Sequence, residues 1–393
     1  MRRVKKGFMI CCCISSLFTA GCWDRVEIND MGIAIGIGVD NQENSIKDRV
    51  TPELTIQFVL PKVLAGQDGG GGTQEKPFHN LTIDEISLFE AGREASTATS
   101  RGPNYSHLKV LVISKDAAQS INLLQLLNFF YRDHEMRRTV HVLISEEKAS
   151  EILSIKGKKD PIPALKLFYT MENMKTKTAQ MAPVLSLGDV SEKMSARSSF
   201  IVQKVQKFKD GVQIIGAAVI EGKTQKMIGE LDEDETFGIN CMTGKATAGA
   251  VTGVDQETDK IITYEIDSFK SSIKPKVKGE DISYTVNINT EGRISEDWIP
   301  DSDAFNEKFI QNAEKQIERE FKRLIEAGLT KTQKDLKVDV AGFGESLRIH
   351  KPKVWKKVKN DWEERFSEAD IDINVKVNIR QFQTQGRKIN KSE

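Results

Sequence analysis

The stretch 301–327, DSDAFNEKFIQNAEKQIEREFKRLIEA, places Phe305, Phe309, Ala313, Ile317, Phe321, Leu324 and Ile325 on one stripe. Its other face is thick with Glu, Lys and Arg. Spacings of three and four residues define a helix with one buried side. At 1.5 Å per residue it reaches on the order of 40 Å, and Gly328 stands where a helix commonly stops. Upstream, Ile282, Tyr284, Val286 and Ile288 alternate with polar residues. Downstream, Ile371, Ile373, Val375, Val377 and Ile379 do the same. Both runs have the period of a half-buried strand. A long amphipathic helix between two such strands is expected to lie on their sheet. The stripe is core rather than a membrane-binding face.

Working outward, Leu336–Leu347 suggests a further helix weakened by Gly342 and Gly344, and Trp355, Val358, Trp362 and Phe366 follow at helical spacing. Lys270–Gly279, with Pro275 among lysines, reads as a hinge or crossing segment, preceded by a strand over Ile261–Phe269. Val212–Ile220 and the run from Met227 form a hairpin around Glu221-Gly222-Lys223. The acidic run from Glu230 opens a helix, where carboxylates suit the positive end. Nearer the start, strands are expected over Ile33–Val39, Leu54–Leu60, Leu108–Ile113 and Thr139–Ile144. Helices are expected over Thr82–Ser100, Asp116–Phe130, Glu146–Ile155 and Ala164–Lys175. Pro183–Ser199 shows little periodicity and reads as a boundary.

The fold class is therefore α+β (mixed α/β) and multi-domain, with mixed or antiparallel sheets covered by helices and the long helix on the C-terminal sheet. The expected divisions are 1–21 (a leader), 22–195, 196–273 and 274–393.

The leader sets the location. Arg2, Arg3, Lys5 and Lys6 precede an uncharged, mostly apolar run from Gly7 to Ala20. That run is shorter than the roughly 20 residues a spanning helix needs and has the form of an export signal. Ala20-Gly21-Cys22 resembles a lipobox, in which the cysteine receives diacylglycerol and then an N-acyl chain. Thr19 stands where the usual pattern has an aliphatic residue. The alternative is an ordinary secretory signal that leaves Cys22 free. Two or more acyl chains hold a protein firmly on a bilayer, at about 0.8 kcal/mol per buried methylene. Lipidated Cys22 would thus tether the body to the outer leaflet.

Lys+Arg and Asp+Glu number 57 each, and loss of the leader's four cations leaves an acidic excess. A nucleic-acid partner is not expected from such a balance. Cys11, Cys12 and Cys13 leave with the leader, so Cys241 has no disulfide partner and reads as a core residue. The cluster from Arg132 to Arg138 is read as a solvated connection, with a contact surface as the alternative. Gly36-x-Gly38 and Gly69–Gly72 lack the context of nucleotide loops, and Thr243-Gly244-Lys245-Ala246 fails the Walker pattern at two positions. The histidines, at 79, 107, 134, 141 and 350, are scattered and form no HExxH. No catalytic residue, metal or cofactor is expected.

Two separated motifs carry a family resemblance. Cys22-Trp23-Asp24-Arg25, Glu27-Ile28-Asn29-Asp30 and the glycine-spaced strand resemble the start of mature Ger(x)C spore germination lipoproteins. Asp339-x-x-Gly342-Phe343-Gly344-Glu345, Pro352-x-x-Trp355, Trp362-x-x-x-Phe366 and the last strand are similar in order and spacing to that family's C-terminal domain. His107 fits a family position before a strand and is read as structural. The resemblance implies a non-catalytic C subunit of a nutrient germinant receptor on the outer surface of the spore inner membrane. It also implies an A subunit and a permease-like B subunit as partners. A substrate-binding lipoprotein of a transporter is the alternative, and it would need two similar lobes around a cleft.

Overall fold

The computed structural model describes residues 31–42, 51–60, 76–157, 160–300 and 302–381. The expected leader 1–21, Cys22 and the run Gly69–Gly72 lie outside these residues.

A nine-stranded sheet holds β1 (Gly32–Asn41), β2 (Pro52–Val59), β3 (Phe78–Asp84), β4 (Pro103–Asn104), β5 (Val110–Ser114), β6 (His141–Ser145), β7 (Phe200–Phe208), β8 (Gly211–Ile220) and β9 (Met227–Leu231). Its order is β3-β2-β1-β5-β6-β7-β8-β9, with β4 beside β1. The central strands β1, β5, β6 and β7 run parallel, and the outer pairs run antiparallel. One face is covered by α1 (Leu88–Ala98), α2 (Lys115–Ser120), α3 (Leu123–Leu126), α4 (Asn128–Arg132) and α7 (Leu187–Ser195). The other carries α5 (Ala149–Ile152) and α6 (Pro163–Met171). The glycines of β1 make room for that second layer. A Cβ at Gly36 would stand 2.6 Å from Ala164 Cβ, and one at Gly38 3.1 Å from Ala149 Cβ. The spacing serves close packing, as the sequence suggests.

Next come α8 (Glu233–Met242) and a four-stranded sheet of β10 (Ala250–Val254), β11 (Ile261–Lys278), β12 (Asp281–Asp297) and β13 (Asp370–Gln381), in that order. Between β12 and β13 run α9 (Glu307–Thr330), a π turn over Lys331–Asp335, α10 (Phe343–His350), α11 (Pro352–Val358) and α12 (Trp362–Glu368). The long helix lies on this sheet as expected. Phe321, fully buried, sits about 6 Å from the rings of Phe237 (6.1 Å), Tyr264 (6.2 Å) and Phe269 (6.0 Å). Two carboxylates of α9 also reach β13 at the sheet's edge. Glu318 accepts from Val377 N–H at 3.1 Å and Glu314 from Ile379 N–H at 2.9 Å. Bonded amides cannot recruit a foreign strand.

One core joins the two sheets: Ala217 and Val219 of β8 and Ile201 of β7 bury with α8, α9 and the second sheet. The segment 196–273 is shared between the sheets, β7–β9 extending the first and β10–β11 the second.

Several local expectations are corrected. The long helix begins at Glu307, capped by Asn306, whose side chain accepts from Lys308 N–H at 2.9 Å. Phe305 precedes it and is exposed. Gly328 is interior to the helix, where a Cβ would lie 2.5 Å from Glu235 O. Thr82–Ser100 is strand end, loop and then helix, because Ser87 caps at Glu90 N–H. The helix expected over Asp116–Phe130 is broken at Asn122, whose side chain caps Leu124 and Gln125. Pro183–Ser199 contains α7, started by a Ser186/Asp189 capping box. Lys270–Gly279 is no hinge, since β11 runs unbroken through Lys278. Only Phe343 onward of Leu336–Leu347 is helical, and the run from Trp355 to Phe366 is split between α11 and α12.

Candidate functional site

The C-terminal motif residues converge on one buried carboxylate. Asp339 is 8% exposed. Its Oδ1 accepts from Gly342 N–H at 2.8 Å and Phe343 N–H at 3.0 Å. Its Oδ2 accepts from Gly344 N–H at 2.6 Å and from Trp362 Nε1–H at 3.0 Å. The side chain thus occupies the positive end of α10, where amides lack helical partners. Gly342 has φ +86°, the left-handed region that turns the chain back over Asp339. At Gly344 a Cβ would stand 2.6 Å from Trp362 Nε1, so a bare backbone lets the indole close on the loop. Phe343 is fully buried between Tyr284 (5.1 Å) and Phe366 (5.3 Å). Trp355 is half-buried and stands edge-on to Trp362 at 5.5 Å.

This knot touches the first sheet through Glu363. Its Oε2 accepts from Asp339 N–H at 2.7 Å and its Oε1 from Ser199 Oγ at 3.0 Å. Ser199 Oγ in turn accepts from Gly222 N–H in the β8–β9 turn at 3.0 Å. Burial, above all, pushes the Glu363 carboxyl up to about 7, and the nearby Asp339 charge adds to this. The folded chain therefore holds a proton here that the unfolded chain has released. Stability from this group is fully present below about pH 4.5 and is lost as pH rises through about 7. Across that window Glu363→Gln is expected to lose less stability than the parent chain, by a difference on the order of 3 kcal/mol at 1.36 kcal/mol per pH unit. Paired denaturant titrations at pH 5 and pH 8 measure it. Parallel pH profiles would show that Glu363 titrates normally.

The first sheet carries an apolar groove of about 560 Å³ between α1 and α3–α4, lined by Ile86, Phe89, Ile121, Leu126 and Phe129. Arg93 lies over the Phe89 ring at 5.3 Å. Arg132, Asp133 and His134, from the charged cluster, form part of its wall. Glu135 of that cluster accepts from Tyr105 N–H at 3.1 Å.

On α10, Ser346 Oγ lies 3.4 Å from His350 Nδ1, but it donates to Ile273 O of β11 at 2.7 Å, and the His350 ring sits 2.8 Å from Ser346 O, so both side chains are held by backbone. His107 is exposed in the turn before β5. Cys241 is fully buried, and burial pushes its thiol well up. Thr243 closes α8 by bonding Ile239 O at 2.9 Å, so the near-Walker run is a helix terminus. Among the described residues no group of His, Cys, Asp or Glu could hold a metal ion, and no helix is long and apolar enough to cross a membrane.

Comparison with known proteins bears on the same two halves. The family profile described as "Spore germination protein N-terminal domain" matches residues 24–207, and "Spore germination B3/ GerAC like, C-terminal" matches 215–383. Spore germination protein YndF of Bacillus subtilis (strain 168) is 37% identical over 394 residues, covering 96% of each chain. The chain belongs to this GerAC-type spore germination family. Spore germination protein A3 of the same organism is 31% identical, over 96% of this chain and 98% of its own. Spore germination protein B3 is 28% identical over 94% and 96%. The crystal structure of the GerBC protein shares the fold, with TM-score 0.60 and 24% identity over 89% of this chain and 99% of that one. In this GerAC-type chain, Asp339 and its glycines lie inside the C-terminal match, while Ser199 lies inside the N-terminal one. The Glu363–Ser199 bond therefore joins the two family domains.

The knot is the part of the C-terminal motif that sequence reading singled out. Its bridging acid Glu363 was missed, since one Glu beside a Trp carries no signal among 57 acids. The groove was missed because its walls come from separate short helices.

Proposed function

We propose that the chain is the lipid-anchored, non-catalytic C subunit of a spore nutrient germinant receptor. Cys22 carries S-diacylglycerol and an N-acyl chain such as palmitate. These hold the folded body at the outer surface of the spore inner membrane, beside an A subunit and a permease-like B subunit. The observation that carries this reading is the end-to-end match to relatives named spore germination proteins A3 and B3, over more than nine-tenths of both chains. The lipobox-like Ala20-Gly21-Cys22 supports the anchor. The anchor confines the body to a plane and raises its effective concentration near its partners. A transporter's binding protein is disfavoured, because sheets of nine and four strands with unlike orders do not make two similar lobes.

Cys22→Ala is expected to move the protein from the membrane fraction to the soluble one and to slow germination in the nutrient that the receptor senses. Germination by calcium dipicolinate should be unchanged. Carbonate-washed spore membranes that retain the variant at the parent level would exclude a lipid anchor.

A further inference from the structure

The two ends of the first sheet carry opposite electrostatic arrangements. At the end where β5 and β6 finish, Lys115, Lys204 and Lys207 are neutralised, while Lys209 lies over the Phe208 ring. Lys115 bonds Glu146 at 2.7 Å and also meets Glu230, Lys204 bonds Glu230 at 2.5 Å, and Lys207 pairs with Glu151. The opposite rim collects the starts of the parallel strands. Gly32 opens β1 there and bonds Gly102 O, while Lys109 N–H bonds Ile35 O and His141 N–H bonds Lys109 O. Lys76 leads into β3, whose Phe78 pairs with Val59 at the finish of β2. Arg137 and Arg138 lead into β6. Lys76, Arg101, Lys109, Arg137 and Arg138 are thus gathered from four connections, and among the described residues none of them forms an ion pair. The acids nearby are engaged: Glu135 on Tyr105 N–H, Asp133 on Glu135 N–H, Asp189 on Ser186 and Glu172 on Lys175. Two exposed apolar residues share this rim. Leu60 is 38% exposed beside Pro77, and Tyr169 is 64% exposed next to Phe168, the ring over which Lys109 sits at 5.4 Å.

The tether joins the fold at this rim, and chain length keeps the anchor close to it. Eight residues separate Cys22 from Met31. At about 3.5 Å per residue, Cys22 lies within roughly 30 Å of the strand-start rim. We infer that this rim is the membrane-facing surface of the protein and that its occupant is an anionic phospholipid bilayer. The inference rests on Cys22 being the anchor. The lipid chains hold the body at the surface, and the rim sets which way it faces. Lysines and arginines gain at an anionic surface within a Debye length, and an exposed tyrosine suits the headgroup level.

The test uses the mature full-length chain with Cys22→Ser, so that no acyl chain contributes, and flotation with vesicles. Binding to phosphatidylcholine vesicles containing phosphatidylglycerol is expected to exceed binding to phosphatidylcholine alone and to fall with salt. Each cation removed should weaken it about fivefold. Arg101→Gln, Lys109→Gln, Arg137→Gln and Arg138→Gln together should therefore lose more than a hundredfold. Lys115→Gln with Lys207→Gln, at the other end, should leave it unchanged. Equal binding to both vesicle types, or equal loss from the two sets, overturns the orientation. So does a fourfold variant that floats with the anionic vesicles as the parent chain does. Intact mass of the native chain reports acylation of Cys22 separately, so a missing anchor and an inert rim give different results.

Discussion

Asp339→Ala is expected to lower the stability of the C-terminal unit by about 4–5 kcal/mol. Three backbone N–H groups and the Trp362 indole end on this carboxylate. A hydrogen bond to a charged group is worth roughly 1.5–3 kcal/mol, and a buried donor left alone costs about 1–3 kcal/mol. Four donors would exceed the stated loss if none relaxed. Water entering the vacated space, and some reopening of the Gly342–Gly344 turn, reduce it. Asp339→Asn separates the charge from the shape. Its one oxygen can serve two of the donors, and its NH₂ then faces the other two, so about half the loss is expected. Denaturant unfolding followed by tryptophan fluorescence measures both, because Trp362 is itself one of the bonded groups. A loss below about 1 kcal/mol for the alanine variant would mean that the aromatic cluster of Tyr284, Phe343 and Phe366 holds the turn without the carboxylate.

Much of the fold was legible where one periodicity was strong. The stripe from Phe309 to Ile325 faces the core, and the alternation of Ile371 to Ile379 became β13. The misreadings share a physical origin. Pro275 among lysines looked like a hinge, yet Lys274, Lys276 and Lys278 are exposed while Ile273, Pro275 and Val277 are half-buried, which is the alternation of a strand. β10 pairs only with Ile261–Glu265, so Pro275 lies on an edge where its missing N–H costs nothing. Phe305 fitted the helical stripe by spacing, but the Asn306 cap excludes it from the helix. Capping by one side chain is a local competition that hydrophobic spacing does not register. The Asp339 motif was visible as a pattern, and its partner Ser199 was not, because 164 residues separate Ser199 from Glu363.

Gly238→Ala is expected to destabilise the chain by about 3 kcal/mol, although the same change in a free helix is favourable. Alanine gains roughly 1 kcal/mol over glycine in a helix interior. Here α8 crosses α9 with the two backbones in contact. A Cβ at Gly238 would stand 2.0 Å from Leu324 O and 3.0 Å from Ile325 Cα, and one at Gly328, on the other helix, 2.5 Å from Glu235 O. A carbonyl inside a helix cannot swing aside as a side chain can, so the helices must separate. Separation opens the packing of Phe237 on Phe321, at the centre of the core that joins the two sheets. Overpacking a tight core costs typically 1–3 kcal/mol and more when backbone must move, which outweighs the helical gain. Gly92 supplies the control. It also lies within a helix, α1, but the nearest neighbours to a Cβ are the Phe129 ring and the Tyr105 hydroxyl, both side-chain atoms at 3.4 Å, an ordinary contact. Gly92→Ala is therefore expected to stabilise by about 0.5–1 kcal/mol. The pair should move melting temperature in opposite directions, and a rise for both would show that α8 and α9 can part without loss.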